Sequence, residues 1–165
     1  MGIQYFEKER IFKLDTSASS YVIGIVDDEN FVGHVYYGKK LKDHNIGYLM
    51  RTEEAPFVPS TNARDRLSFL DSFPTEYAGH GVGDYRESSI RVKTVGGHSA
   101  VQPRYVSHTI YQGKRKLEGL PATWGSENDV ETLEIVCEDS VLKLQIVLEY
   151  SVFADTDSIA RSVKV

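Results

Sequence analysis

The sequence predicts an all-β chain, an antiparallel β-sandwich of two sheets, and three observations carry that expectation. Tyr21–Val26 and Phe31–Tyr37 are β-branched and aromatic, and the four turn formers Asp27-Asp28-Glu29-Asn30 separate them, a hairpin signature. Further on, Leu133, Ile135 and Cys137, then Leu142, Leu144, Ile146, Leu148, Tyr150 and Val152, fall on one face. The other face, with Thr132, Glu134, Glu138, Lys143, Gln145, Val147, Glu149 and Ser151, is mostly polar. No segment sustains the i, i+3, i+4, i+7 stripe of an amphipathic helix.

In chain order, the first ten residues are charged (Glu7, Lys8, Glu9, Arg10) and hold no apolar run of signal-peptide length. The hairpin at 21–37 is closed by Gly38-Lys39-Lys40. From Met50 to Gly83 the chain turns irregular, with Pro56, Pro59 and Pro74 among many Ser and Thr residues. So long a connection inside a compact domain is unusual. Phe57, Phe69, Phe73 and Tyr77 argue against a solvated linker, so an arm docked on another surface is expected. Gly79, Gly81 and Gly83 follow at alternate positions, a spacing hostile to a helix. A tight loop from Gly79 to Arg86 is expected, with φ > 0 at Gly81 or Gly83, leading into a strand at Ser88–Lys93. Pro103 suits a strand start or edge better than a central strand. After it, Val106, His108 and Ile110 share a face by alternation. The last residues, Ser158–Val165, alternate as a strand and stop without a turn, which leaves an edge open. This predicts that the domain continues beyond Val165.

Composition bounds the partners. One domain is expected for 165 residues, enough to bury about 70% of the unfolded surface. A net charge of −5 with no basic block disfavours nucleic acid. No stretch approaches the ~20 apolar residues of a membrane helix, and Phe6 stands where a myristoylation motif wants Ser or Thr. Cys137 is the single cysteine, so no internal disulfide forms. A reducing cytoplasm is the expected setting.

Candidate chemistry is sparse. The five histidines (His34, His44, His80, His98, His108) are dispersed, so no metal site and no cofactor is expected. Gly-His-Gly-Val-Gly lacks the Gly-Lys-Ser/Thr and the helix of a phosphate loop. Asp84 with Glu87, or Glu76 with Asp84, has the spacing for an acid pair. Arg86 and Arg91 stand close by, and salt bridges that pin the loop are the better explanation. His80 reads as a surface-loop histidine, with polar contact to a ligand or partner as the alternative, His108 as a hydrogen-bonded core or interface residue, and Cys137 as a small core hydrophobe. Trp124 reads as a lid over the core, with a sugar-stacking platform as the alternative.

The run Phe73-Pro74-Thr75-Glu76-Tyr77-Ala78-Gly79-His80-Gly81-Val82-Gly83-Asp84-Tyr85-Arg86 resembles a signature of the N-terminal β-domain of glycoside hydrolase family 36, the α-galactosidases. Tyr105-Val106-Ser107-His108, Gly119-Leu120-Pro121-Ala122-Thr123, Glu131-Thr132-Leu133-Glu134-Ile135 and Arg161-Ser162-Val163 follow in that family's order. The resemblance implies that residues 1–165 are the first portion of a supersandwich-like N-terminal domain, cut in mid-domain. The catalytic barrel and both of its catalytic aspartates would lie elsewhere, so no catalytic residue is assigned here and the chain should be inactive alone. It implies a parent that retains configuration in hydrolysing terminal α-galactosides such as melibiose and raffinose-type sugars, and that forms a homo-oligomer. It further implies that a loop of this domain approaches a neighbour's galactose pocket. The arm Pro56–Arg66 is the candidate, with Asn62, Arg64 and Asp65 as its hydroxyl-binding side chains, while Gly79, Gly81, Gly83, Asp84 and Arg86 form a structural loop. The chain departs from the family pattern at Ala78, where proline is usual, at Arg115 in place of a Gly-Lys-Pro run, and at Trp124. A free-standing carbohydrate-binding or protein-interaction module is the competing expectation.

Overall fold

The computed structural model describes residues 2–26, 28–43, 45–50, 52, 70, 72–81, 83–153 and 155–165. Among the described residues, eight strands form two antiparallel meanders. The first holds β1 (Gly2–Phe6), β2 (Ile11–Asp15), β3 (Ser19–Ile25) and β4 (Val32–Lys39), paired in sequence order. The second holds β5 (Arg104–Gln112), β6 (Val130–Asp139), β7 (Leu144–Phe153) and β8 (Ser158–Lys164), again in order. A short 3-10 turn at Gly47–Leu49 is the one helical element among the described residues.

The two sheets bury one core between them. Phe12, Leu14, Ile23 and Ile25 of the first meet Leu133, Ile135, Cys137, Ile146, Leu148 and Tyr150 of the second. Each large apolar side chain withdrawn from water contributes about 1.5–3 kcal/mol, so this layer dominates the stability. The first sheet is covered on its other face as well, where Ile11 and Val22 pack with Ile46. That is why four consecutive positions of β2 are buried, Lys13 included. Lys13 is tolerated there because its ammonium reaches Asp15 at 2.6 Å.

The expected hairpin is β3–β4, and the predicted alternation is β6–β7, except that Leu142 and Lys143 lie in the joining turn, where Lys143 takes φ 55°. Asp139 holds that turn, accepting the Val141 and Leu142 amides at 2.9 Å each, while its other oxygen takes the Gln102 amide at 2.8 Å. Burial pushes the Asp139 carboxyl up, but these amides and the charge of Arg104 outweigh it and leave the pKa lowered. Pro103 sits just before β5, an edge strand, where no ladder amide is needed.

One hairpin lies where the sequence carries no strand signal, and two expectations need correction. Gly2–Phe6 and Ile11–Asp15 form a hairpin that the charged turn between them conceals, with Arg10 in the left-handed region at φ 54°. Ser88–Lys93 joins no ladder and runs as irregular chain. A β-bulge between Tyr105 and Ser107 turns Val106 out to solvent, so Val106 does not share the face of His108 and Ile110. The bulge brings Tyr105 and His108 together instead. The tyrosine hydroxyl lies 2.8 Å from His108 Nδ1, and the imidazole packs on Tyr5 and Phe12. Burial lowers the His108 pKa, which favours the neutral ring.

Candidate functional site

Glu76 lies in the connection between the sheets, and its side chain is only 1% exposed. It accepts hydrogen bonds from the hydroxyls of Tyr21 on β3 at 2.6 Å and Tyr150 on β7 at 2.7 Å. The Arg161 guanidinium of β8 donates at 2.9 Å, and His34 Nδ1 of β4 lies at 3.3 Å. One carboxylate therefore joins four strands from both sheets. Burial would raise its pKa, yet the hydrogen bonds from His34, Tyr21 and Tyr150 and the charge of Arg161 outweigh burial and lower it. Burial, with the Glu76 charge added, pushes the Tyr21 and Tyr150 hydroxyls up, so both stay protonated as donors. His34 reaches the cluster because a bulge in β3–β4 pairs it with Ile23.

The glycine loop follows Glu76 in the chain. Gly81 and Gly83 both take positive φ, 87° and 90°, a region open to glycine and costly for other residues. Gly81 and Asp84 pair backbone to backbone, donating to each other's carbonyls at 2.8 and 3.1 Å. The Asp84 carboxylate is buried and takes Arg86 Nε at 2.9 Å, while Arg86 Nη2 donates to the Leu70 carbonyl at 3.2 Å and to the Thr75 hydroxyl at 3.1 Å. Gly79 is needed for closeness: a Cβ there would lie 2.0 Å from the Val101 carbonyl oxygen. Alanine at Gly81 or Gly83 is expected to cost about 1 kcal/mol by urea denaturation. A cost indistinguishable from zero at both would mean that the loop relaxes freely.

No acid pair emerges from the predicted carboxylates. Glu76 belongs to the four-strand cluster, Asp84 to Arg86, and Glu87 to Arg91 at 2.6 Å on the surface. A different pair does sit side by side, Glu134 and Glu149 on neighbouring strands. Arg115 and Tyr111 bind Glu134, while Lys164 and Ser162 bind Glu149. Burial raises the Glu149 pKa, but Lys164 and Ser162 outweigh it and leave it lowered. A general acid needs the opposite shift, so this is an ion-pair network. The same network, with burial as its first cause, moves the Tyr111 hydroxyl up to about 12.

Asn62, Arg64 and Asp65, with the rest of the arm Pro56–Arg66, lie outside the described residues. Among the described residues no cluster of His, Cys, Asp and Glu is arranged to hold a metal. Cys137 is a core residue, its thiol pushed up to about 12 by burial. His80 is exposed. Trp124 is not a lid: it is 75% exposed, with the Lys116 ammonium 5.8 Å from its ring. The roles of Tyr21, Tyr150 and Arg161 were not foreseen. Arg161 stood in a recognised motif, but nothing in the sequence links it to a carboxylate 85 residues away.

Comparison with known proteins fits this geometry. The model of the glycosyl hydrolase family 36 N-terminal domain matches residues 30–165. The bifunctional alpha-galactosidase/sucrose kinase AgaSK of Mediterraneibacter gnavus is 34% identical over 167 residues, 100% of this chain and 18% of that protein. The crystal structure of the GH36 alpha-galactosidase AgaB from Geobacillus stearothermophilus superposes with a TM-score of 0.88 at 32% identity, covering 99% of this chain and 22% of that one. A variant of the alpha-galactosidase AgaA from the same organism, in complex with raffinose, gives 0.84 at 33% identity over 93% of this chain and 21% of that one. The chain thus spans about a fifth of the length of the relatives it matches. With a family model over most of its length and the fold of these structures throughout, the chain belongs to the glycosyl hydrolase family 36 N-terminal domain family.

Proposed function

We propose that the chain serves an α-galactosidase as its non-catalytic N-terminal β-sandwich, in a parent that hydrolyses terminal α-galactosides such as melibiose and raffinose-type sugars. The observation that carries this is the match of the whole chain to about a fifth of several bacterial α-galactosidases. Hydrolysis of a glycoside needs two carboxyl groups flanking the bond, one of them held protonated. The pKa values of Glu76, Glu149 and Asp139 are lowered, and the buried carboxylates described above are committed to cations, hydroxyls or backbone amides, which supports a non-catalytic role for this domain. A single, buried Cys137 suits a reducing, cytoplasmic setting. Assembly of the parent into a homo-oligomer belongs to the same proposal. So does sugar contact by Asn62, Arg64 and Asp65 at a neighbour's pocket, tested by alanine variants in the parent that should weaken substrate use and spare folding.

The isolated chain is expected to show no turnover of a chromogenic α-galactoside. Turnover that disappears in Asp84→Asn or Glu87→Gln would overturn the non-catalytic assignment.

A further inference from the structure

Beside the glycine loop lies an open groove of about 490 Å³, within the ~300–1,000 Å³ range of small-ligand sites. Neither the Glu76 cluster nor the sheet core uses it. The loop forms one wall, where Tyr85 is 73% exposed and the His80 ring stands edge-on to it at 6.1 Å. Residues 87, 88 and 90–93 supply a further wall. This stretch has the composition of a strand but joins no ladder. Among the described residues, the backbone amides and carbonyls of Ile90–Lys93 have no hydrogen-bond partner. Such groups are left open to solvent or to a ligand. The Glu87–Arg91 pair lies on this wall, and the Ser88 and Ser99 hydroxyls complete the rim.

The charge balance narrows the ligand. Arg86 is matched by Asp84, and Arg91 by Glu87, which leaves Lys93 without an anionic partner among the described residues. One spare cation is a poor basis for a phosphate or an acidic peptide. An exposed aromatic face beside a carboxylate, a guanidinium, hydroxyls and open backbone groups instead suits a pyranose. The sugar's C–H face lies on the ring, and its hydroxyls take both donors and acceptors. In galactose the axial O4 gathers the C3, C4 and C5 hydrogens on one bare face, so a flat aromatic stacks better on a galactosyl than on a glucosyl unit.

We propose that the groove between the Gly79–Arg86 loop and residues 87–93 binds the galactosyl end of a neutral oligosaccharide, with Tyr85 as the stacking platform and Glu87 and Arg91 as hydroxyl partners. The choice of galactosyl over other sugars rests on the proposed function; the existence of the site does not. The test is titration of the isotopically labelled chain with raffinose, and separately with maltotriose, followed by backbone amide shifts. Raffinose is expected to move the amides of residues 80–93 with a Kd on the order of 1–10 mM. Tyr85→Ala should weaken binding at least about tenfold with unchanged spectral dispersion, and Tyr85→Phe should retain it. Absence of shifts in this segment, or equal affinity in Tyr85→Ala, overturns the site. Equal binding of maltotriose overturns the galactosyl assignment. Neither result touches the family assignment, and the non-catalytic role is tested separately by the turnover assay.

Discussion

Replacing Glu76 with alanine is expected to destabilise the chain by about 3 kcal/mol, the low end of the cost of breaking a buried ion pair. The low end applies because Arg161 keeps about half of its side chain in water. Two tyrosine hydroxyls lose their acceptor at the same time. Tyr150 is buried and has no other route to solvent, so its unpaired hydroxyl adds to the cost. For a chain of this size the loss corresponds to a fall in Tm of roughly 6–12 °C. Urea denaturation of Glu76→Ala and Glu76→Gln measures it. The amide variant keeps one acceptor and the side-chain volume, so it should fall between wild type and alanine. A cost below about 1 kcal/mol in the alanine variant would mean that the cluster does not couple the sheets.

The same carboxylate predicts a pH dependence. Its folded-state pKa lies below the ordinary value of 4.5. Its contribution is therefore complete above the unfolded-state value and lost as pH falls through the folded-state one. Asp139 and Glu149 have lowered values as well and act in the same direction. Stability should hold from neutral pH to about 5 and then fall steeply. In Glu76→Gln the acid fall should be shallower. Equal slopes in the two proteins would assign the acid loss to other groups.

What the sequence made legible was alternation, and what it hid was geometry that alternation does not encode. The β3–β4 hairpin and the β6–β7 pair could be read because their apolar faces repeat every second residue and their turns are polar. β1 and β2 were not read, since each is five residues long and buried Lys13 breaks the pattern. Ser88–Lys93 failed in the other direction. Its residues favour a strand, but no neighbour offers it a ladder, and strand propensity depends on that context. The bulge at Val106 inverted a face for the same reason: one extra residue shifts every side chain after it. At the site, the glycines and the Asp84–Arg86 pair were visible because partners two residues apart are local. Glu76 stood in a legible motif, yet its partners lie 55, 74 and 85 residues away, so its role became visible only with the fold.

Gly79 offers the sharpest test of the loop, because its need for glycine is steric and not conformational. An alanine Cβ there would meet the Val101 carbonyl oxygen at 2.0 Å and the carbonyl carbon at 3.0 Å, both backbone atoms that cannot rotate away. The loop would have to lift from the segment leading into β5, breaking the bridge in which the Val101 amide donates to the His80 carbonyl at 3.1 Å. Val101 is itself buried and lines the small cavity that also touches Phe31 and Cys137, so the displacement reaches the edge of the core. Gly79→Ala is therefore expected to cost about 2–3 kcal/mol, as overpacking against fixed atoms does. Gly97 is the matched control, since it carries a positive φ of 86° with nothing within 4 Å of an added Cβ. Alanine there should cost only the backbone term, about 1 kcal/mol. Urea denaturation of both variants, with amide exchange at Val101 as a local readout, separates the two terms. Equal costs at Gly79 and Gly97, with unchanged protection of the Val101 amide, would show that the loop is not clamped to the strand entry.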